Sequence, residues 1–346
     1  MYLLLRNILC YLIITTGCFL TACSNKDIST QKNHKKASFY YWKTTFDLSD
    51  SLKKVLIDNE VSHLYIRYFD VDLKGHQAIP IGPINFNNTP DSFVITPVVY
   101  IENQVLKDTL VNVDSLAQHI VNYVAAINKY ANNANHNLQL DCDWSLKTKS
   151  RYLELVQKVR SLVKGKLSAT IRLHQIKYFD LTAVPEVDYG VLMYYNMGTI
   201  AADGNNSIYD RQIAQRYIPA LKQYPLKLEV ALPIYSWVIQ IRNNKVVNLF
   251  SKRNVEDLKN IELYEVLGDN RYKVRQNHLA FGTYLKENDV LKLETIRPNQ
   301  LTEMMQDIQK YIAQPIQEVI FYDLDEKNIK PYKHEKHFFK KVATNR

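Results

Sequence analysis

An alternation of two patterns constrains this chain more than any other feature. Short apolar runs rich in β-branched and aromatic residues recur eight times, at Phe39–Phe46, His63–Phe69, Phe93–Ile101, Leu138–Asp143, Leu167–Leu173, Tyr189–Tyr195, Leu226–Tyr235 and Pro315–Tyr322. Runs of that length and composition read as strands. Several spacers instead carry the period of an amphipathic helix. Leu116, Ile120, Val121, Val124 and Ile127 share one face; Tyr152, Leu155, Val156, Val159, Leu162 and Val163 share another, with Gly165 placed to cap the helix C-terminus. Further helices are expected at Ser49–Asn59, Ser207–Gln223 and Asn299–Ile312. Strands separated by helices pair in parallel, and eight such units predict a closed (β/α)8 TIM barrel over residues 39–326.

The competing architecture is an open doubly wound sheet, which usually carries a glycine-rich phosphate turn after its first strand. This chain has nine glycines and no G-x-G-x-x-G or Walker pattern, so no nucleotide is expected. One segment interrupts the alternation. Residues 238–295 read as a small α+β insertion after the seventh strand. Its expected hairpins are Val238–Leu249 around Asn243-Asn244 and His278–Leu293 around Glu287-Asn288-Asp289, with a short helix between.

The formal net charge of +9 raises a nucleic-acid reading, and its position along the chain removes it. Arg6, the lysines before Phe39 and the basic residues after Glu326 carry the whole excess, leaving the body within one charge of neutral. No nucleic-acid partner is therefore expected. Residues 7–23 are uncharged and follow Arg6, and their interrupted apolar run ends at Leu20-Thr21-Ala22-Cys23, the layout of a secretory signal. The final four residues resemble a bacterial lipobox, which implies cleavage after residue 22 and acylation of Cys23. Acyl chains would tether the protein to a membrane of the cell envelope, and Ser24 after the cysteine favours the outer membrane. Residues 23–38 read as a polar, lysine-rich tether, and residues 327–346 as a basic C-terminal tail.

Of four cysteines, only Cys142 would then remain as a free thiol, inside an apolar strand where it reads as an inert core residue. The Cys and His positions lack zinc-ligand spacing, and neither metal nor cofactor is expected.

In barrels of this kind the chemistry stands at the C-terminal ends of the strands. Those positions hold Asp70 and Asp72, Glu102, Asp141, Asp143 and Trp144, Arg172 and His174, Tyr195 and Asn196, Tyr235 and Trp237, and Asp323, Asp325 and Glu326. Acids beside flat rings suit sugar chemistry: carboxylates handle protons or a developing cation, and rings stack on pyranose faces. Asp141 and Asp143 are the candidate catalytic carboxylates. Trp144, Tyr195, Asn196, Tyr235, Trp237, Arg172, Glu102 and Asp323 are the candidate substrate contacts.

The fourth strand, Leu138-Gln139-Leu140-Asp141-Cys142-Asp143-Trp144-Ser145, resembles the D-G-x-D-x-D-x-E signature of glycoside hydrolase family 18, the chitinases and endo-N-acetylglucosaminidases. Met193-Tyr194-Tyr195-Asn196 resembles the family's sixth-strand M-x-Y-D, and Leu232-Pro233-Ile234-Tyr235 its seventh-strand L-P-x-Y. Tyr322 stands where the family usually has Trp. The strand L-Q-x-D-x-D also resembles one in a family of bacterial lipoproteins.

The resemblance implies a glycan partner, but the departures limit what it implies about catalysis. Family 18 uses the motif's Glu as acid and the preceding Asp to orient the substrate's N-acetyl group. Here Ser145 stands in the Glu position, Leu138 and Gln139 replace the first Asp and Gly, and Asn196 replaces the sixth-strand Asp. A hydroxyl is too weak an acid near neutral pH to do that work. The expectation is a membrane-anchored barrel that binds glycan without the family's acid. The alternatives are a glycosidase using another carboxylate pair and a non-catalytic assembly lipoprotein.

Overall fold

A computed structural model describes residues 35–345 apart from residue 91. The expected signal, Cys23 and the tether up to residue 34 lie outside the described residues. Eight parallel strands form the barrel: β1 (Lys36–Tyr41), β2 (His63–Lys74), β3 (Val94–Ile101), β4 (Leu138–Asp141), β5 (Leu167–Arg172), β6 (Tyr189–Met193), β7 (Leu228–Pro233) and β8 (Glu318–Tyr322). They pair in order, and β1 closes the ring by pairing with both β2 and β8. Strands covered on both faces are rich in apolar residues, and each of the eight runs overlaps a barrel strand.

β1 begins before the expected tether ends. Lys36 pairs in register with Glu318, and Ala37 and Ser38 are already buried. The last residues of the expected tether are therefore part of the barrel.

The helices that cover the barrel follow from the periodic spacers. They are α1 (Asp50–Asp58), α2 (Val113–Tyr130), α3 (Lys149–Leu162), α4 (Pro298–Tyr311) and α5 (Phe338–Thr344). Ser49 caps α1 by accepting from the Leu52 N–H, and Asn112 caps α2 by accepting from the Ser115 N–H. α3 ends at Val163 in an extended conformation, so Gly165 is not its cap. That glycine is needed for a different reason: a Cβ there would lie 2.4 Å from the His136 carbonyl carbon. The single helix expected at Ser207–Gln223 is instead a short turn at Arg211–Ala214 and a 3-10 segment at Ile218–Lys222, broken where Pro219 cannot donate a backbone hydrogen bond. No helix among the described residues is long and apolar enough to cross a membrane.

Between β7 and α4 lies a five-stranded antiparallel sheet with its own apolar core, including Val238, Tyr264, Tyr272, Leu291 and Leu293. Trp237–Arg242 and Lys245–Ser251 form a hairpin whose turn residues, Asn243 and Asn244, both have positive φ, as a tight hairpin requires. The second expected hairpin is not formed. His278–Ala280 turns back at once onto Thr283–Leu285, while Val290–Glu294 pairs with Trp237–Arg242 and Arg271–Val274.

The chain after β8 is not a free tail. Phe339 packs edge-on against Phe39 and Phe321, with ring centroids 4.9 and 4.8 Å apart, and Phe338, Val342 and Ala343 are buried beside it. Apolar residues spaced along α5 bury one face against the outer surface of β1, and the lysines of this segment stay on the other.

At the end where strands begin, here called the floor, the partly buried Glu318 lies among Ser38, His63 and Tyr65, all of which hydrogen-bond its carboxylate. Burial alone would raise its pKa, but these bonds hold it below the usual carboxylate range.

Candidate functional site

At the opposite end, the mouth, β4 and β5 deliver two carboxylates to different environments. Asp141 is buried and accepts a hydrogen bond from Thr170 at 2.7 Å. Burial, helped by the charges of Asp143 and Asp70, pushes its pKa up to about 6 against the pull of Arg172 and Thr170. Asp143, two residues on, is about half exposed. It is held by a bidentate pair in which Arg172 Nε donates to Oδ1 and Nη2 donates to Oδ2 at 2.9 Å.

From β6 and β7 come rings. Tyr195 stacks on Tyr322 at 5.5 Å and meets Tyr235 edge-on at 5.9 Å. Asn196 sits in the left-handed region at φ +54°, which Asn tolerates better than most residues, and its side-chain carbonyl accepts from the Tyr235 hydroxyl. Tyr322 also touches Tyr40 and Trp42, at 5.7 and 5.5 Å, so a cluster of rings fills the barrel axis below the mouth. Trp237 lies against Tyr235 at 5.3 Å and donates its indole N–H to Glu294 at 2.8 Å, joining the insertion to the barrel rim.

Beside this cluster opens a cavity of about 380 Å³. Asp143, Arg172, His174, Tyr195 and Asn196 form its polar side, and Leu173, Met197, Ile213 and Tyr217 its apolar side. Burial holds the His174 pKa below its ordinary value, and the Arg172 charge adds to that effect while Asp143 opposes it. At neutral pH the lining therefore presents one internally neutralised ion pair, a neutral imidazole and apolar walls. Such a lining suits an uncharged polar ligand with one flat apolar face.

The structure brings Asp143, Arg172, Tyr195 and Asn196 together on that cavity and keeps Tyr235 in contact with Asn196. Other expected contacts stand elsewhere. Trp144 is buried, stacked on Tyr152 at 4.4 Å and 13°, with its N–H donated to the Thr182 carbonyl. Strand alternation turns it away from Asp143 and into the layer under α3. Asp323 follows a cis peptide bond from Tyr322 and is buried beside Asn328, 3.6 Å from Lys252. Lys252 and Lys43 also hold Asp325, at 3.1 and 3.0 Å, so these acids belong to a charge cluster tying β8 to the insertion. Glu102 is the N-cap position of a short helix at Asn103–Lys107 and does not line the cavity.

Ser145 opens a turn in which its N–H donates to Thr148 Oγ1 at 2.9 Å, just before α3. Asp141 is buried and is not among the residues that line the cavity. Met197, Ile213 and Tyr217 were not singled out by sequence. The Pro219 that breaks the expected helix is the signal that marks their loop. Among the described residues no group of three or more His, Cys, Asp or Glu side chains converges as a metal ion would require.

No family model matches the chain, and no curated protein matches it. Solved structures do. The Bacillus cereus spore cortex-lytic enzyme SleL superposes with a TM-score of 0.52 at 12% identity, covering 90% of this chain and 74% of that one. A GH18 chitinase from Cycas revoluta, solved in complex with (GlcNAc)3, gives 0.54 at 12% identity over 90% and 99% of the two chains. A class V chitinase from Nicotiana tobaccum gives 0.53 at 11% identity over 89% and 99%. Eight parallel strands closed into a ring, with this likeness over nine-tenths of the chain, give the protein the (β/α)8 barrel fold of the family 18 chitinases.

Proposed function

We propose that this protein is a glycan-binding barrel that does not cleave its ligand by the family 18 route, carried on a lipid anchor at Cys23 in the cell envelope. One observation carries the reading. The mouth keeps a sugar-sized cavity beside aromatic rings, while Ser145 replaces the acid and Arg172 holds Asp143 in a bidentate pair. A carboxylate committed to a guanidinium is a poor partner for an N-acetyl N–H, and a serine hydroxyl is too weak an acid near neutral pH to protonate a leaving oxygen. What the lining supplies is recognition: Tyr195 and Tyr217 as apolar surface, Asn196 and the unshared part of the Asp143–Arg172 pair as hydrogen-bonding groups. The solved relatives include a chitinase holding (GlcNAc)3, which supports an N-acetylglucosamine-containing ligand.

The test is binding and turnover on one preparation. Calorimetric titration with chitooligosaccharides and a broad glycan array should give a saturable ligand and no released sugar. Asp143→Ala should weaken it about tenfold, the loss expected for one charged hydrogen bond. An empty array, or hydrolysis by the unmodified chain, overturns the reading. A second reading, hydrolysis through another carboxylate, is favoured by the Asp141 pKa of about 6, which suits a general acid. Its burial away from the cavity lining counts against it.

A further inference from the structure

The positive charge that the sequence places at the two ends of the chain acquires a position in the fold. The chain enters the barrel at the floor, where Lys36 pairs in register with Glu318. The C-terminal segment descends to the same end. His337 bonds the Asp58 carbonyl at the foot of α1, and Lys340 N–H donates to Asn59 at 3.1 Å. Lys164 and Lys166 lie in the turn from α3 into β5, and the Lys166 carbonyl accepts from the Leu138 N–H at the start of β4. Lys36, Lys164, Lys166 and Lys336 are exposed, and among the described residues no carboxylate pairs with any of them. Lysines in the last turn of a helix would be explained by the helix dipole, but none of these four lies within a helix.

Large apolar side chains are exposed among them. Ile57, Tyr130 and Leu162 stand in the last turns of α1, α2 and α3, and Val94 opens β3; their exposures are 73%, 73%, 37% and 51%. Unpaired lysines interspersed with exposed Ile, Leu, Val and Tyr match the two components of interfacial membrane binding: attraction to anionic headgroups and shallow burial of apolar tips.

We propose that the floor of the barrel is a membrane-contact surface that rests on an anionic phospholipid bilayer, holding the mouth away from it. The proposal does not depend on the ligand of the mouth cavity. With the anchor expected at Cys23, this surface would be a second attachment that fixes the orientation of the barrel on the membrane.

The experiment uses the unacylated chain Ser24–Arg346, which retains the compact unit 34–346. Sedimentation with phosphatidylcholine vesicles is compared with vesicles carrying about a third phosphatidylglycerol, at low and high salt. Binding should require phosphatidylglycerol and fall as salt rises. Each lysine near such a surface contributes about fivefold, so Lys36→Glu, Lys164→Glu, Lys166→Glu and Lys336→Glu together should lower the partition coefficient more than about a hundredfold. The mouth-side pair Lys147→Glu and Lys245→Glu should not change it. If the fourfold variant does not fold, Lys164→Glu with Lys166→Glu alone should lose about twenty-five-fold.

Equal binding to both vesicles, binding to neither, or undiminished binding by a folded floor variant overturns the proposal. So does retention on heparin without vesicle binding, which would assign the charge to a soluble polyanion.

Discussion

Trp144 separates a packing role from a sugar-binding role more cleanly than any other residue. Its position beside Asp143 in the sequence makes it a candidate platform, yet its ring is 2% exposed and lies flat on Tyr152 at 4.4 Å. Replacement by alanine empties a well-packed site, a change that costs about 3–5 kcal/mol for Trp or Phe in a core. Of that, the stacked pair contributes about 0.5–1.5 kcal/mol beyond its area, and the bond to the Thr182 carbonyl about 1 kcal/mol. At about 2.1 cal/mol/K of unfolding entropy per residue, a loss of about 4 kcal/mol in a domain of this size lowers Tm by about 6 °C.

Trp144→Phe keeps the stack and loses the hydrogen bond, so it should recover more than half of that loss. Thermal denaturation of the two variants, with glycan titration of whatever remains folded at 25 °C, checks both halves of the argument. The expected result is a large, graded fall in Tm with ligand affinity within twofold of wild type. A Trp144→Ala protein that melts like wild type and has lost its ligand would refute the assignment of this ring to the core.

Other predictions concern different parts of the molecule. Because the Asp141 pKa is raised to about 6 by burial, the folded state holds a proton that the unfolded chain has released. Its stabilising contribution is complete below about pH 4 and lost as pH rises through 6, so Asp141→Asn should be more stable than wild type by about 1–3 kcal/mol at pH 8 and equal to it at pH 3.5. Urea denaturation at the two pH values reads this, and a wild type that is the more stable form at pH 8 contradicts it. Phe339→Ala should cost about 3–5 kcal/mol, since the ring is buried between Phe39 and Phe321; a melt within 1 °C of wild type would restore the free-tail reading. Ser145→Glu alone should produce no turnover of a chitooligosaccharide, because the turn fixed by Thr148 holds this residue off the cavity wall. Released product above the wild-type background would show that only the acid was missing.

The barrel was legible because strands covered on both faces are predominantly apolar, and each of the eight runs is rich in β-branched and aromatic residues despite the polar side chains, such as Gln139 and Thr170, that it turns inward. The site was only partly legible. Asp143, Arg172, Tyr195 and Asn196 stand at strand ends, whose direction alternation predicts, and they meet on one cavity. Trp144 follows the same alternation to the opposite side: one residue past Asp143 it faces the layer under α3, so its place beside Asp143 in the sequence does not put it on the cavity. Asp323 departs for another reason, and Trp237 stays at the rim against Tyr235 but is held by the insertion's own sheet. The Asp323 partner, Lys252, lies in the insertion, and no local pattern shows where a sheet of its own will dock. The C-terminal segment was read as a tail on its charge; its buried residues, Phe338, Phe339, Val342 and Ala343, are spaced as one helix face, a signal the lysines between them obscured.

Closure of the ring between β1 and β8 governs how the chain must reach its native state. Lys36 waits for Glu318, so the first strand completed during synthesis lacks one neighbour until almost the whole chain has emerged. α5, which covers the apolar outer surface of β1, comes later still. An open sheet with an unpaired apolar edge is therefore present throughout elongation, and long-range pairings of this kind form slowly and expose the chain to aggregation. Completion of the ring therefore waits on the last strand and on the helix that covers the first.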